Sequence, residues 1–238
     1  MSKINLQRAY ILHQYPFKET SAILECFTEE QGRISIIAKG IRRPRQIPAQ
    51  SFAEYWVKYA NKSSELKYLY QLDYTEPQLP LRGMALSCGF YLNELLLHFL
   101  LKDEPMPRLW HCYQHTLNQL RLKQLLSPVM REFELELLTE LGYRFHLKET
   151  YLGEPLQAEA YYLFEFGHGL EPHTGSNVPI HKLVFTGAEL LAVEARDWTY
   201  PNASRVAKQL LRQAIDQLLE GKTLKSRKFA ERLQEISS

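Results

Sequence analysis

Four positively charged side chains lie within seven residues, at Lys39, Arg42, Arg43 and Arg45. No acidic residue separates them, and Pro44 prevents the segment from continuing as a regular strand. Mutual repulsion makes such a loop costly unless an anion or free solvation offsets it. The density of charge favours a site for phosphate groups, with a solvated loop as the alternative.

A second basic cluster lies near the C-terminus, where Lys222, Lys225, Arg227 and Lys228 surround Ser226. Ser226 is predicted to cap the last helix, whose first backbone N–H groups can bind a phosphate. Cations near a helix start oppose the helix dipole. The pattern therefore predicts either a ligand or an acidic neighbour, and solvated tail charge is the alternative.

The net charge of +2 does not by itself indicate a nucleic-acid-binding protein. Its distribution is more informative, because residues 1–50 and residues 201–238 each carry an excess of four positive charges. The stretch between them is negative. A polarised surface follows if the two basic ends meet in the fold.

Five strand-like runs position the first basic cluster. They are rich in aromatic and β-branched residues or alternate in polarity, and lie near residues 8–15, 22–27, 33–39, 52–59 and 66–74. Gly32 suits a hairpin turn, and Arg33 and Lys39 lie at the two ends of one face of the third run. Five short strands predict an OB-type antiparallel barrel. Its aromatics belong either to the core or to a groove where DNA bases stack.

Prolines at positions 77 and 80 interrupt the strand pattern, and a helical period follows. We therefore expect an α+β protein, with an OB-fold domain over residues 1–78 and a mainly helical domain over residues 79–238. The second domain is expected to contain an irregular, strand-containing insert around residues 151–185. Helices are predicted near residues 84–100, 105–122 and 128–141, and Ser127 is predicted to cap the third. Two more helices are predicted, one after a capping box formed by Thr186 and Glu189 and one capped by Ser204.

Arg131 lies near the start of a helix that is otherwise acidic, with glutamates at 132, 136 and 140. One interpretation is a surface arginine paired with a glutamate. The other is that Arg131 binds a peptide carboxylate beside an apolar pocket.

The sequence contains no phosphate-binding Gly-x-x-x-x-Gly-Lys motif, no Gly-x-Ser-x-Gly motif and no acidic metal motif. This favours a binding protein with no catalytic residues, metal or cofactor. The alternative enzyme class is a metal-dependent nuclease that uses histidines, but their spacing matches no strong ligand pattern. The candidate histidines are His111, His115, His168, His173 and His181.

Three widely spaced cysteines argue against a disulfide framework. The N-terminus lacks the apolar core of a signal peptide, and no apolar stretch reaches the roughly 20 residues that cross a bilayer. We expect a cytoplasmic protein without membrane association.

Several short segments along nearly the whole chain form a specific pattern of sequence and spacing. In the N-terminal part they are QRAYIL at 7–12, ETS at 19–21, FTEEQGR at 27–33 and AKG at 38–40. Further along they are GFYLNELL at 89–96, REFEL at 131–135, LGY at 141–143, FTG at 185–187 and KTLKSR at 222–227. With these segments the chain resembles the bacterial recombination mediator family RecO.

The resemblance implies a nucleoid-associated protein that binds single- and double-stranded DNA and anneals strands coated with single-stranded DNA-binding protein. It also implies cooperation with RecR in loading RecA. Arg131 would bind the acidic, phenylalanine-ending tail of single-stranded DNA-binding protein. The DNA-binding residues would be Arg33, Lys39, Arg42, Arg43, Arg45, Lys222, Lys225, Arg227 and Lys228. Some family members bind a structural zinc through four cysteines, which this chain lacks. The alternative function is a protein-only adaptor whose basic loop binds an acidic partner peptide.

Overall fold

The computed structural model describes residues 4–43, 49–61, 67–122, 125–175 and 182–230. The chain divides into two compact units. The first unit extends to Leu126 and also takes in the segment that begins at Leu224, whereas the second is Ser127–Thr223. The first unit is therefore discontinuous in sequence. The division into domains of residues 1–78 and 79–238 stays a prediction.

Five strands of the first unit form a closed barrel in the order β1-β2-β3-β5-β4. All neighbours are antiparallel except β3 and β5, which are parallel. The strands are β1 (Ile4–Phe17), β2 (Ser21–Thr28), β3 (Gly32–Ala38), β4 (Glu54–Asn61) and β5 (Lys67–Tyr74). The predicted OB-type barrel and α+β class are confirmed.

The barrel interior is filled by alternate residues of its strands, as the period of two requires. They include Ala9, Ile11, Leu24, Cys26, Ile34, Ile36, Val57 and Tyr59, all buried. The β2–β3 turn depends on Gly32, whose φ is +65°. A Cβ atom on Gly32 would lie 1.8 Å from the carbonyl oxygen of Glu104, so only glycine fits this approach.

Two helices of the first unit pack against the outer face of the barrel. They are α1 (Gly83–Phe99) and α2 (Pro107–Arg121). Tyr10 and Phe27 meet Trp110 with ring centroids 5.2 and 5.4 Å apart. The pairing of β1 with β2 shifts register at Leu12, which frees its carbonyl from the ladder. Buried Asn93 donates to that carbonyl at 2.9 Å. The side-chain amide of Asn93 therefore connects helix α1 to the position where the register of β1 shifts.

The second unit is built around a three-stranded antiparallel sheet in the order β7-β6-β8. Its strands are β6 (Tyr161–Glu165), β7 (Gly169–His173) and β8 (Leu183–Thr186). Its helices are α3 (Leu126–Glu140), which starts at the boundary, α4 (Gly187–Glu194) and α5 (Ala203–Leu218). Thr186 and Glu189 form the predicted capping box of α4. The sequence patterns did not predict β7 or β8.

Two predicted helix caps are wrong. Helix α3 begins at Leu126, so Ser127 lies in its first turn, where its hydroxyl contacts that of Ser204 at 2.6 Å. Helix α5 is capped by Asn202, so Ser204 also lies inside its helix. Within the described residues, no helix combines the length and apolar composition needed to cross a membrane.

Candidate nucleic-acid interface

The first basic cluster begins in the turn that leaves β3. Gly40 adopts a φ of +71°, and the Arg43 amide donates to the Gly40 carbonyl at 3.0 Å. The Arg42 amide donates to the carbonyl of Thr20, also at 3.0 Å. This bond fixes the turn against the loop that joins β1 to β2. The backbone of residues 40–43 is therefore held in place while its side chains stay available.

The Lys39, Arg42 and Arg43 side chains are all exposed. The Lys39 ammonium lies 5.3 Å from the ring centroid of Tyr68, and Arg42 reaches the Lys18 carbonyl at 3.4 Å. In the described part of the chain, none of the three cations lies within 4.0 Å of a carboxylate. The predicted site residue Arg45 lies outside the described residues.

Lys18 joins this cluster, although its sequence context did not single it out. Because β2 and β3 pair with Ala22 opposite Ala38, the loop before β2 and the turn after β3 lie at the same end of the barrel. Lys18 is exposed and has a φ of +55°. We call Lys18, Lys39, Arg42 and Arg43 the barrel-end cluster. Glu19 is the acidic residue adjacent to it in sequence.

Arg33 differs from these cations, because its guanidinium forms an ion pair and hydrogen bonds with other residues of the first unit. Its Nε lies 3.0 Å from Glu25, and its Nη1 donates to the carbonyls of Leu97 and Leu100 at 2.6 and 3.3 Å. These bonds join β3 to the C-terminal end of α1, where a cation is favourable. Arg33 therefore offers little to a phosphate, and we leave it out of the proposed site.

The second basic cluster is divided between the two units, since Lys222 belongs to the second and Lys225, Arg227 and Lys228 to the first. The described part of the last helix, residues 225–230, begins one residue before Ser226. The prediction that Ser226 caps this helix is therefore wrong. Lys225 and Lys228 are exposed, and Arg227 lies 5.8 Å from the ring centroid of Tyr91.

The acidic neighbour expected at the start of this helix is Glu94 of α1. Its carboxylate accepts hydrogen bonds from the Lys225 amide at 2.8 Å, the Ser226 amide at 2.9 Å and the Ser226 hydroxyl at 2.5 Å. Burial alone would raise the pKa of Glu94, but these bonds outweigh it and hold the pKa below its ordinary value. A phosphate at these donors would compete with Glu94.

Replacing Glu94 with Gln should lower the free energy of unfolding by about 1 kcal/mol at pH 7. Since the folded-state pKa of Glu94 is depressed, its contribution is present above the unfolded-state pKa and is lost as pH falls through the folded value. The difference between wild type and Glu94→Gln should therefore shrink between pH 7 and pH 3.5. Urea unfolding at both pH values measures it, with the exposed Glu104→Gln as the charge-matched control. An equal difference at both values would contradict the assignment.

Arg131 is buried rather than exposed, with 7% of its surface accessible. Its Nε and Nη2 atoms lie 2.8 and 3.0 Å from the two carboxylate oxygens of Glu134, one turn along α3. The interpretation in which Arg131 pairs with a glutamate matches this geometry, except that the pair is not at the surface. A tail carboxylate would have to displace Glu134 or share the guanidinium with it.

The second unit also contains an open pocket of 490 Å³ that the sequence patterns did not predict. Five of the residues that line it are aromatic, Tyr143, Phe145, Tyr151, Phe164 and Phe166, and the acidic Glu149 lines it as well. Arg144, exposed and without a carboxylate within 4.0 Å in the described residues, lines both this pocket and a smaller adjacent one. The pocket therefore combines aromatic rings with a cation and a carboxylate.

The candidate histidines do not come together in the part of the chain that the structure describes. No group of three His, Cys, Asp or Glu residues is placed there to hold a metal ion. His181 lies outside the described residues.

Comparison with known proteins places these features in a family. Residues 1–78 match the model for "Recombination protein O N terminal", and residues 82–228 match "Recombination protein O C terminal". The chain is 35% identical over 235 residues to DNA repair protein RecO of Nitrosospira multiformis, covering 97% of this chain and 96% of that protein. It is 38% identical over 229 residues to the Stutzerimonas stutzeri protein of the same name, covering 96% and 94%. The chain, with its N-terminal barrel and helical C-terminal region, belongs to the RecO family of DNA repair and recombination proteins.

Proposed function

We propose that this RecO-family protein binds single- and double-stranded DNA without sequence preference, through the barrel-end cluster. In this role it would be a non-enzymatic mediator that anneals complementary strands during DNA repair. The observation that carries the proposal is the set of four exposed cations at one end of the barrel. None of them lies within 4.0 Å of a carboxylate among the described residues.

Three cations elsewhere in the barrel unit are instead used within the fold. Arg8 is paired with Glu29 at 2.5 Å, Arg33 with Glu25, and Lys67 with Asp103 at 2.5 Å. Each of these three cations is thus paired with a carboxylate of the same unit. The barrel-end cluster can instead neutralise an external anion. A phosphodiester backbone supplies closely spaced negative charges of this kind. Such contacts hold the backbone and do not read sequence.

Aromatic side chains supply a second element of single-strand binding. Tyr68 lies beside Lys39, and Tyr15, Trp56, Tyr70 and Tyr74 are each at least 40% exposed. Exposed rings beside cations suit base stacking combined with phosphate neutralisation. The buried Tyr55 and Tyr59 belong to the core. The expectation of base stacking is therefore restricted to the exposed rings.

Annealing requires contact with a second strand or with the proteins that coat the first. We propose Lys225 and Lys228 for further backbone contacts, with Arg227 beside Tyr91 and Lys222 on the second unit. The tail of single-stranded DNA-binding protein would dock on the second unit, at Arg131 or at the aromatic pocket that contains Arg144. Cooperation with RecR in loading RecA completes the proposal and rests on family membership.

The test is the affinity of the full chain for a single-stranded oligonucleotide across a salt series. Log affinity should fall linearly with log salt, with a slope of about −0.7 for each phosphate contacted. Four barrel-end contacts alone predict a slope near −3. An affinity that is absent at low salt would overturn the proposal. Binding of an acidic peptide without binding of DNA would favour the protein-only adaptor.

A further inference from the structure

The exposed face of helix α5 in the second unit carries three cations at helical spacing, Arg205, Lys208 and Arg212. At about 100° per residue they lie within an arc of about 60°, and at about 1.5 Å per residue they span roughly 10 Å. They therefore form one short, straight basic stripe. We call these three residues the α5 stripe.

The acidic groups near the stripe neutralise it weakly. Glu189 lies 3.7 Å from Arg205, but its other carboxylate oxygen accepts hydrogen bonds from the amide and hydroxyl of Thr186 in the cap of α4. Asp216 lies 3.6 Å from Arg212, and the two side chains are 46% and 58% exposed. Exposed pairs of this kind contribute little and are readily exchanged for another anion. Lys208 has no carboxylate within 4.0 Å among the described residues.

The order of charges along α5 also opposes helix stability. The cations occupy the N-terminal two thirds of the helix, no acidic residue lies in the first turn, and Asp216 lies in the last turn. The helix dipole favours the reverse order. A sequence that departs from a local preference without an evident structural gain points to a functional constraint at that place.

The other exposed side chains of α5 are polar. They favour a partner that binds this face through its negative charges. The same exposed face includes Gln209, whose amide can donate hydrogen bonds. No large hydrophobic side chain of α5 is exposed, and the whole helix lies within the described residues. A peptide partner would need an apolar anchor, which this face does not offer.

We propose that the α5 stripe is a second contact track for a nucleic-acid backbone, separate from the barrel-end cluster and located on the other unit. It rests on the proposed DNA-binding function. Its ligand is the phosphodiester chain of a single strand. A protein that carries tracks on both units has separate contacts for the two strands that annealing joins.

The test compares wild type with the triple variant Arg205→Gln, Lys208→Gln, Arg212→Gln in binding a 60-nucleotide single strand across a salt series. The magnitude of the salt slope should fall by about 2, and affinity at 0.1 M salt should fall ten- to hundred-fold. Annealing of two complementary strands should slow by at least the same factor. Arg205→Lys with Arg212→Lys should retain the slope, because it keeps the charge.

A control triple removes the same net charge from exposed positions of the first unit, Arg82→Gln, Lys102→Gln, Arg108→Gln. If the α5 variant matches this control while wild type binds DNA, the stripe is not a nucleic-acid track. If wild type does not bind DNA at all, the proposed function itself has failed. If the α5 variant loses binding of a polyglutamate peptide but not of DNA, the stripe serves an acidic protein and the inference is overturned.

Discussion

Replacing Lys39, Arg42 and Arg43 with Gln should weaken binding of single-stranded DNA roughly 100-fold at 0.1 M salt. Each phosphate contact contributes about 0.7 to the salt slope, so three contacts contribute about 2. Because this contribution vanishes near 1 M salt, affinities of wild type and variant should converge there. The measurement is the salt dependence of binding by fluorescence anisotropy.

The structure makes this variant informative because the three side chains are exposed and free of ion pairs within the described residues. The turn itself is held by backbone hydrogen bonds to Thr20 and Gly40, which substitution leaves in place. The control is Arg82→Gln, Lys102→Gln, Arg108→Gln, which changes the net charge equally. A control that weakens binding as much as the barrel-end variant would show that only overall charge matters. Adding Lys18→Gln should reduce the slope by a further 0.7 or so.

Replacing Arg131 with Ala should lower the free energy of unfolding by about 3–5 kcal/mol. The substitution leaves the carboxylate of Glu134, which is 3% exposed, without the cation now 2.8 Å away. Thermal or urea unfolding of the full chain measures the loss. Because Arg131→Ala is expected to be this unstable, loss of peptide binding in the single variant could come from unfolding. It would therefore not show that Arg131 contacts the peptide.

The double variant Arg131→Ala with Glu134→Gln separates the two roles of Arg131. Removing the buried charge should restore much of the stability, because a neutral amide is far less costly to bury than an unpaired carboxylate. If Arg131 binds the tail of single-stranded DNA-binding protein, this stabilised variant still fails to bind a tail peptide. If the variant binds the peptide normally, Arg131 is a structural residue. Loss of binding in Arg144→Gln would then place the tail at the aromatic pocket.

The barrel was predictable because its strands are rich in aromatic and β-branched residues or alternate in polarity, and because clear turn residues separate them. The first strand extends further than predicted, through Pro16 to Phe17. Pro16 is tolerated there because β1 pairs only with β2 beyond Tyr10, so this part of the strand is an edge. Strands β7 and β8 were missed because each has only four or five residues, and β7 contains Gly169 and Pro172.

Helix ends were less predictable than helix positions. Ser127, Ser204 and Ser226 each suit an N-cap by residue type, yet all three lie inside the first turn. At the last helix, the two amides that need a partner are satisfied by Glu94, far away in sequence. A long-range acceptor of this kind leaves no local pattern. The cap of α4 was predictable because both of its partners lie within four residues.

The candidate site stays a prediction, and the sequence alone could not show which cations are available to a ligand. Charge density along the chain singled out Lys39, Arg42 and Arg43, which are exposed in the structure, but it did not show which cations form ion pairs within the fold. Arg33 resembles its neighbours in sequence but is bonded to Glu25 and to the end of α1. Lys18 lies far from the cluster in sequence and is brought to it by strand pairing.

The discontinuity of the first unit has a consequence for synthesis on the ribosome. Glu94 and its partner Lys225 are separated by 131 residues, and the whole second unit is translated between them. At translation rates of about 5–20 residues per second, α1 emerges about 7–26 s before the segment that covers Glu94. The barrel can close early, whereas the first unit is complete only after the whole second unit has been translated. A nascent chain stalled in the second unit therefore presents an uncovered α1 to chaperones and proteases.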